Sequence, residues 1–229
     1  MSRTTADLPA AVLFDMDGTL VDSEPLWFEA EIEVMTALGG PWGRDDHVAC
    51  MGGPLEHTVA YMNARLPVAA DPDTLGTMIM DVMESRVRAN DVAWKPGARA
   101  LVGECRELGL PAALVSASWR RIIGAVGDRA AGDLGGSAFD AIVAGDEVTR
   151  SKPDPEPYLT GAATLAVSPD ACLAIEDSPT GVASAVAAGC GVVAVPSPAN
   201  RERVALPGVV VVETLAGRTI ADLWGATRV

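Results

Sequence analysis

Short apolar runs recur along the chain at positions 11–14, 112–115, 141–144, 172–175, 192–195 and 209–212. Several lack polar alternation, which predicts strands buried on both faces, as in a parallel sheet covered by helices on each side. Helical spacing of apolar residues fills the intervals at 97–108, 118–126, 156–167 and 178–188, the last with Pro179 at a first-turn position and Gly189 as a stop. This alternation predicts an α/β protein with a doubly wound parallel sheet and right-handed crossovers. Positions 22–90 break the rhythm. They carry helix-like stretches at 24–38, 54–66 and 73–89, divided by Gly39-Gly40-Pro41, Gly52-Gly53-Pro54 and Asp71-Pro72, and Lys95-Pro96-Gly97 marks the return to the sheet. The expected organisation is an α/β core of 1–22 and 91–229 with a small α-helical domain, 23–90, inserted after the first strand. The stretch 127–136 reads as a peripheral loop.

Composition narrows the function classes. At 229 residues, 49% hydrophobic and 21% charged, the chain has a globular make-up and room for one core with a modest insertion. A formal net charge of -14 repels nucleic acid and anionic membrane surfaces, so neither is an expected partner. The same field opposes anionic substrates, so any phosphate site must supply its own positive charge. The four cysteines, Cys50, Cys105, Cys172 and Cys190, form no Cys-x-x-Cys pair, and only His47 and His57 could add nitrogen ligands; a zinc site is not expected. Reduced thiols in a cytoplasmic protein are the plainer reading. The apolar run 10–14 is too short for a signal peptide, and 182–196 is broken by Gly189 and Gly191 and falls short of a membrane span.

Candidate chemistry gathers where the predicted strands end. The first strand runs into Asp15-Met16-Asp17-Gly18-Thr19, which places two carboxylates at the rim where open parallel sheets bind ligands. Ser116 follows the second strand, Lys152 lies in Ser-Lys-Pro-Asp-Pro, and Glu176-Asp177 follow Cys-Leu-Ala-Ile. Each alone has a bland reading as a turn or a solvated side chain; four in order are far harder to match by accident. Gly189-Cys190-Gly191 fits a loose dinucleotide fingerprint, but it precedes its strand and reads as a helix stop and turn.

These residues resemble the four sequential motifs of the haloacid dehalogenase superfamily, and the helical insertion stands where that superfamily carries its cap. The resemblance spans about residues 12–195. It implies that Asp15 is the nucleophile that takes up a phosphoryl group, and that Asp17 protonates the leaving alcohol and then activates water. It implies Mg2+ held by the Asp15 side chain, the Asp17 carbonyl and Asp177, with Glu176 in support. Ser116 and Lys152 would bind the transferred group, with Gly18, Thr19 and Ala117 completing the phosphate-binding set, and Asp146 is a candidate to orient Lys152. Two carboxylates ~4 Å apart repel by about 4 kcal/mol at an effective dielectric of ~20, so this cluster calls for cations.

Within the superfamily the chain looks most like the sugar-phosphate phosphatases and the β-phosphoglucomutases with small helical caps. Counted without gaps, Trp27 stands where the mutases carry a histidine and Leu55 where they carry a phosphate-gripping arginine, which favours water as acceptor. Trp27, Gly52 and Leu55 are the expected substrate-facing residues of the insertion, and closure of the insertion over the core would exclude water. The expected activity is Mg2+-dependent hydrolysis of a small phosphorylated metabolite by a monomer, with a homodimer as the alternative state. A phosphosugar mutase is the alternative within the superfamily. A phosphoryl-receiver signalling module is the alternative outside it, and such a module needs no helical insertion.

Overall fold

In the computed structural model, which describes residues 8–50, 55–89, 92–198 and 200–228, the six apolar runs form one sheet. In chain order the elements are β1 (Ala11–Phe14), β2 (Val21–Asp22), α1 (Glu24–Ala37), α2 (Arg44–Cys50), α3 (Leu55–Asn63), α4 (Pro72–Ala89), β3 (Ala93–Trp94), α5 (Ala98–Leu108) and β4 (Ala112–Val115). There follow α6 (Arg120–Leu134), β5 (Ala141–Val143), α7 (Glu156–Thr164), β6 (Cys172–Glu176), α8 (Pro179–Ala188), β7 (Gly191–Ala194), α9 (Arg201–Val204), β8 (Val209–Val211) and α10 (Ile220–Ala226). The chain divides into two units, Met1–Asp22 with Val92–Val229 and Ser23–Asp91.

In the first unit the strands run parallel in the order β5-β4-β1-β6-β7-β8. The chain leaves β1 towards β4 and β5, then crosses back to build β6, β7 and β8 on the other side. The crevice outside the carboxyl ends of β4, β1 and β6 is therefore the switch point at which open α/β sheets bind ligands. All four residues of β1 and of β4 are buried, as unalternated apolar runs require. One face packs Leu13, Val115, Val143 and Ala174 against Tyr158, Ala162, Val182 and Ala185. Small residues let the helices approach closely, and the site of a Gly161 side chain would lie 3.1 Å from Val115 Cγ2.

Two elements of this unit differ from the expectation. Positions 127–134 continue α6 instead of looping, because Ala130 is buried and Trp94 and Arg99 bond to the side chain and carbonyl of Asp133 at 2.8 and 2.6 Å; Gly135, at φ 70°, makes the stop. The antiparallel pair β2–β3 was not foreseen. It joins Val21 to Trp94 and Asp22 to Ala93 at the stem from which the helical segment departs.

The second unit packs Val34, Met35, Val59, Met62, Leu75 and Ile79 into its own core. Helix α2 was unforeseen, since its charged sequence buries only His47 and Cys50. His47 is buried: Nδ1 lies 2.7 Å from Glu31 and Nε2 3.2 Å from Glu24. All four cysteines are free. No helix among the described residues is long and apolar enough to cross a membrane.

Candidate functional site

β1 delivers Asp15 to the rim, where its N–H still continues the ladder by donating to the Ile175 carbonyl at 3.0 Å. The chain then turns sharply. Met16 is buried, and its carbonyl accepts from the N–H groups of Leu20 and Val21 at 2.9 and 3.1 Å. Alternation carries Asp15 and Asp17 to the side opposite Met16. Gly18 sits at φ 84°, and a methyl there would overlap the Asp177 carboxylate, so both backbone angle and space call for glycine. Thr19, fully buried, donates to Asp177 Oδ1 at 3.4 Å.

Lys152 enters this rim with a side chain 3% exposed. Its ammonium donates to Asp15 Oδ1 at 2.7 Å, to Glu176 Oε1 at 2.6 Å and to the Val115 carbonyl at 3.0 Å. Those three acceptors use all three N–H bonds of an ammonium. Burial pulls the Lys152 pKa down, but Asp15 and Glu176 outweigh it and hold the group charged, above its ordinary value. Glu176 is buried and fully engaged. Oε1 also accepts from Tyr158 at 2.9 Å, and Oε2 accepts from the Asp177 and Ser178 N–H groups and the Ser178 hydroxyl at 3.0, 3.1 and 3.1 Å.

Asp17 faces the other flank. Its Oδ2 accepts from the Ser118 hydroxyl at 2.7 Å and from the Ser116 hydroxyl at 3.3 Å. Ser116 is buried at the end of β4, whereas Ala117 is exposed beside it. The Gly145 N–H donates to the Ser118 carbonyl at 2.8 Å, and a methyl on Gly145 would overlap the Ala117 carbonyl, so the 116–118 loop is clamped by the segment after β5.

Carboxylate oxygens of Asp15, Glu176 and Asp177 lie within 4.8 Å of one another. Burial foremost, then Glu176, raises the Asp15 pKa well above the carboxylate range, with Lys152 opposing. Burial, then Glu176 and Asp17, push Asp177 up to about 7. When all three are ionised, these carboxylates against one ammonium leave two negative charges uncompensated, which is why the raised pKa values arise without a divalent cation. An all-oxygen donor set with that surplus fits a hard divalent cation.

The structure thus brings Asp15, Asp17, Gly18, Thr19, Ser116, Lys152, Glu176 and Asp177 to one rim. Trp27 and Leu55 belong to the other unit, where both are half-buried against that unit's core, and Gly52 lies outside the described residues. Asp146, a candidate to orient Lys152, instead accepts from the Arg120 N–H at 2.8 Å at the start of α6. A cavity of about 290 Å³ lined by Cys105, Arg106 and Asp140 adjoins the entry to β4, at the opposite end of the sheet from Asp15.

Three residues escaped the sequence reading. Ser118 carried one signal, its place two residues after Ser116. Tyr158 lies six beyond Lys152 in a proline-rich stretch, and Gly181 lies in the first turn of α8, where a methyl would overlap the Glu176 carboxylate. Gly181→Ala is expected to destabilise the fold by about 1–3 kcal/mol through overpacking, although alanine is the better helix former. Gly124→Ala in α6, with nothing within 4 Å, should stabilise by about 1 kcal/mol. Urea midpoints of the two variants should therefore move in opposite directions; two upward shifts would show that the Glu176 carboxylate is not held against α8.

The model of the haloacid dehalogenase-like hydrolase family matches residues 12–195. Hexitol phosphatase B of Escherichia coli (strain K12) is 36% identical over 225 residues, covering 94% of this chain and 96% of that protein. A phosphorylated carbohydrates phosphatase of Thermotoga maritima is 35% identical over 181 residues, covering 78% of this chain and 81% of its own length. Among solved structures, CbbY from Rhodobacter sphaeroides in complex with phosphate superposes with a TM-score of 0.81 at 25% identity, covering 94% of this chain and 99% of CbbY.

Proposed function

We propose that this chain, which belongs to the haloacid dehalogenase-like hydrolase family and is a phosphoric monoester hydrolase, acts on a small phosphorylated carbohydrate through an aspartyl-phosphate on Asp15. The observation that carries the reading is the pairing of a buried Asp15, held through Oδ1 by Lys152, with an Asp17 held on the opposite flank by two serine hydroxyls. The phosphatases named above support the substrate class.

With Lys152 on Oδ1, Oδ2 of Asp15 is the attacking oxygen. It bonds to phosphorus while the bond from phosphorus to the leaving oxygen breaks, and Asp17 gives its proton to that oxygen. Asp17 then takes a proton from water, which attacks the phosphorus and frees Asp15. Ser116, whose single hydroxyl hydrogen reaches Asp17 Oδ2 at 3.3 Å in the free site, turns it to the transferred group when that group is bound. Lys152, whose N–H bonds are already taken, acts by holding Asp15 in place and offsetting the anionic charge of the phosphoryl oxygens. A bound divalent cation, which we take to be Mg2+, would supply charge neutralisation between nucleophile and phosphoryl oxygens, held by Asp15, Asp177 and the Asp17 carbonyl, with Glu176 ordering them. Four free cysteines suit a reducing, cytoplasmic setting.

The test is a panel of hexitol, hexose and pentose monophosphates assayed for phosphate release with Mg2+, with isomerisation of glucose 1-phosphate followed in parallel. Many turnovers on at least one compound, stopped by a chelator and restored by Mg2+, are expected. Isomerisation without release would make the chain a mutase; one stoichiometric labelling that persists would make it a phosphoryl receiver.

A further inference from the structure

We propose that Ser118 is a positioning residue for Asp17, fixing the carboxyl group that protonates the departing oxygen; this rests on the phosphatase reading above. The Ser118 hydroxyl donates to Asp17 Oδ2 at 2.7 Å, closer than Ser116 at 3.3 Å, although Ser116 is the strand-end residue. The Ser118 N–H donates to Ser116 Oγ at 2.9 Å, which directs the Ser116 hydrogen away from its own loop. Gly145 holds the Ser118 carbonyl at 2.8 Å, so the serine is anchored through its backbone while its hydroxyl reaches Asp17.

Both hydroxyls converge on a single oxygen of Asp17. Once Ser116 turns to the phosphoryl group, the shorter bond from Ser118 is the one that keeps Oδ2 in place. As the bond from phosphorus to the leaving oxygen breaks, its electron pair stays on that oxygen and takes the proton from the Asp17 carboxyl group, while Asp15 bonds to phosphorus. Asp17 becomes a full carboxylate in this step. A hydroxyl hydrogen bond to an ionised oxygen is among the stronger kinds, so the Ser118 contact strengthens as the proton departs and favours the transition state over the ground state.

This role makes a prediction that a packing role does not. An alkoxide leaving group needs the proton; p-nitrophenolate leaves without one. Ser118→Ala is expected to lower kcat/KM for a hexitol monophosphate by about tenfold, and for p-nitrophenyl phosphate by less than about threefold. Ser118→Thr, which keeps the hydroxyl, should recover the hexitol monophosphate rate to within about threefold. Ser118→Cys, similar in size with a weak donor, repeats the comparison should the alanine variant fail to fold. Equal losses on the two substrates would overturn the proposal, as would a rise in KM at constant kcat, which would make Ser118 a substrate contact. A wild type that hydrolyses neither compound would remove the phosphatase reading, and this proposal with it.

Discussion

Asp15→Asn is expected to lower phosphate release by at least ~10³-fold, about 4 kcal/mol of transition-state stabilisation, without unfolding the protein. The amide cannot attack phosphorus, whereas its shape and its acceptor oxygen for Lys152 are kept. The direction of the stability change follows from the same site. Burial and Glu176 raise the Asp15 pKa above its ordinary range, so the folded protein favours the uncharged carboxyl group. A carboxyl whose folded-state pKa is raised withdraws stability as pH climbs above its unfolded value. At neutral pH and without divalent ions, the uncharged amide of this variant should thus leave the protein at least as stable as the wild type. Acid-quenched labelling with a radioactive phosphoryl donor should trap the wild type and not the variant, and urea midpoints should show the stability. Undiminished turnover by the variant would remove Asp15 as nucleophile. A large stability loss would mean that the Lys152 pair outweighs burial.

How far the chain could be read in advance depended on whether a residue's role is set locally or by a distant partner. The six strands were legible because a strand buried on both faces must be apolar throughout, and the observed bounds lie within one residue of those read from the runs. Asp15, Asp17, Ser116, Glu176 and Asp177 were legible because they sit at or just past the ends of such strands, whereas Lys152 lies nine residues beyond β5 and was legible only from its motif. Helix α2 and the β2–β3 pair were not, since a seven-residue helix with three charged residues in its first turn and two two-residue strands carry no periodicity to detect. Glycines at 127 and 132 disguised the second half of α6, which contacts from outside the helix hold: Ala130 is buried, Trp94 donates to the Asp133 carboxylate at 2.8 Å and Arg99 to the Asp133 carbonyl at 2.6 Å. Ser118 and Tyr158 were illegible for a further reason: their chemistry consists of hydrogen bonds to residues 101 and 18 positions away, and only the fold brings those together.

Lys152→Met carries the largest expected stability effect, a loss of about 3–5 kcal/mol. The ammonium is the one cation bonded to both Asp15 and Glu176 among the described residues, and the side chains of all three are 9% exposed or less. Methionine fills the volume but leaves two buried carboxylates facing each other, with Asp177 close by. Tyr158 still donates to Glu176, and the backbone and hydroxyl donors to Oε2 remain, so the penalty falls chiefly on Asp15. Its pKa, already raised, should rise further without Lys152. A carboxyl that binds a proton on folding makes the variant gain stability, relative to wild type, as pH falls through that folded-state value. The Asp15→Asn change added to Lys152→Met should then recover part of the loss, giving a coupling energy of about 1–3 kcal/mol in a double-mutant cycle. Urea denaturation of the four proteins at two pH values measures both effects. A loss below about 1 kcal/mol, or strictly additive variants, would show that the ion pair does not hold this rim together.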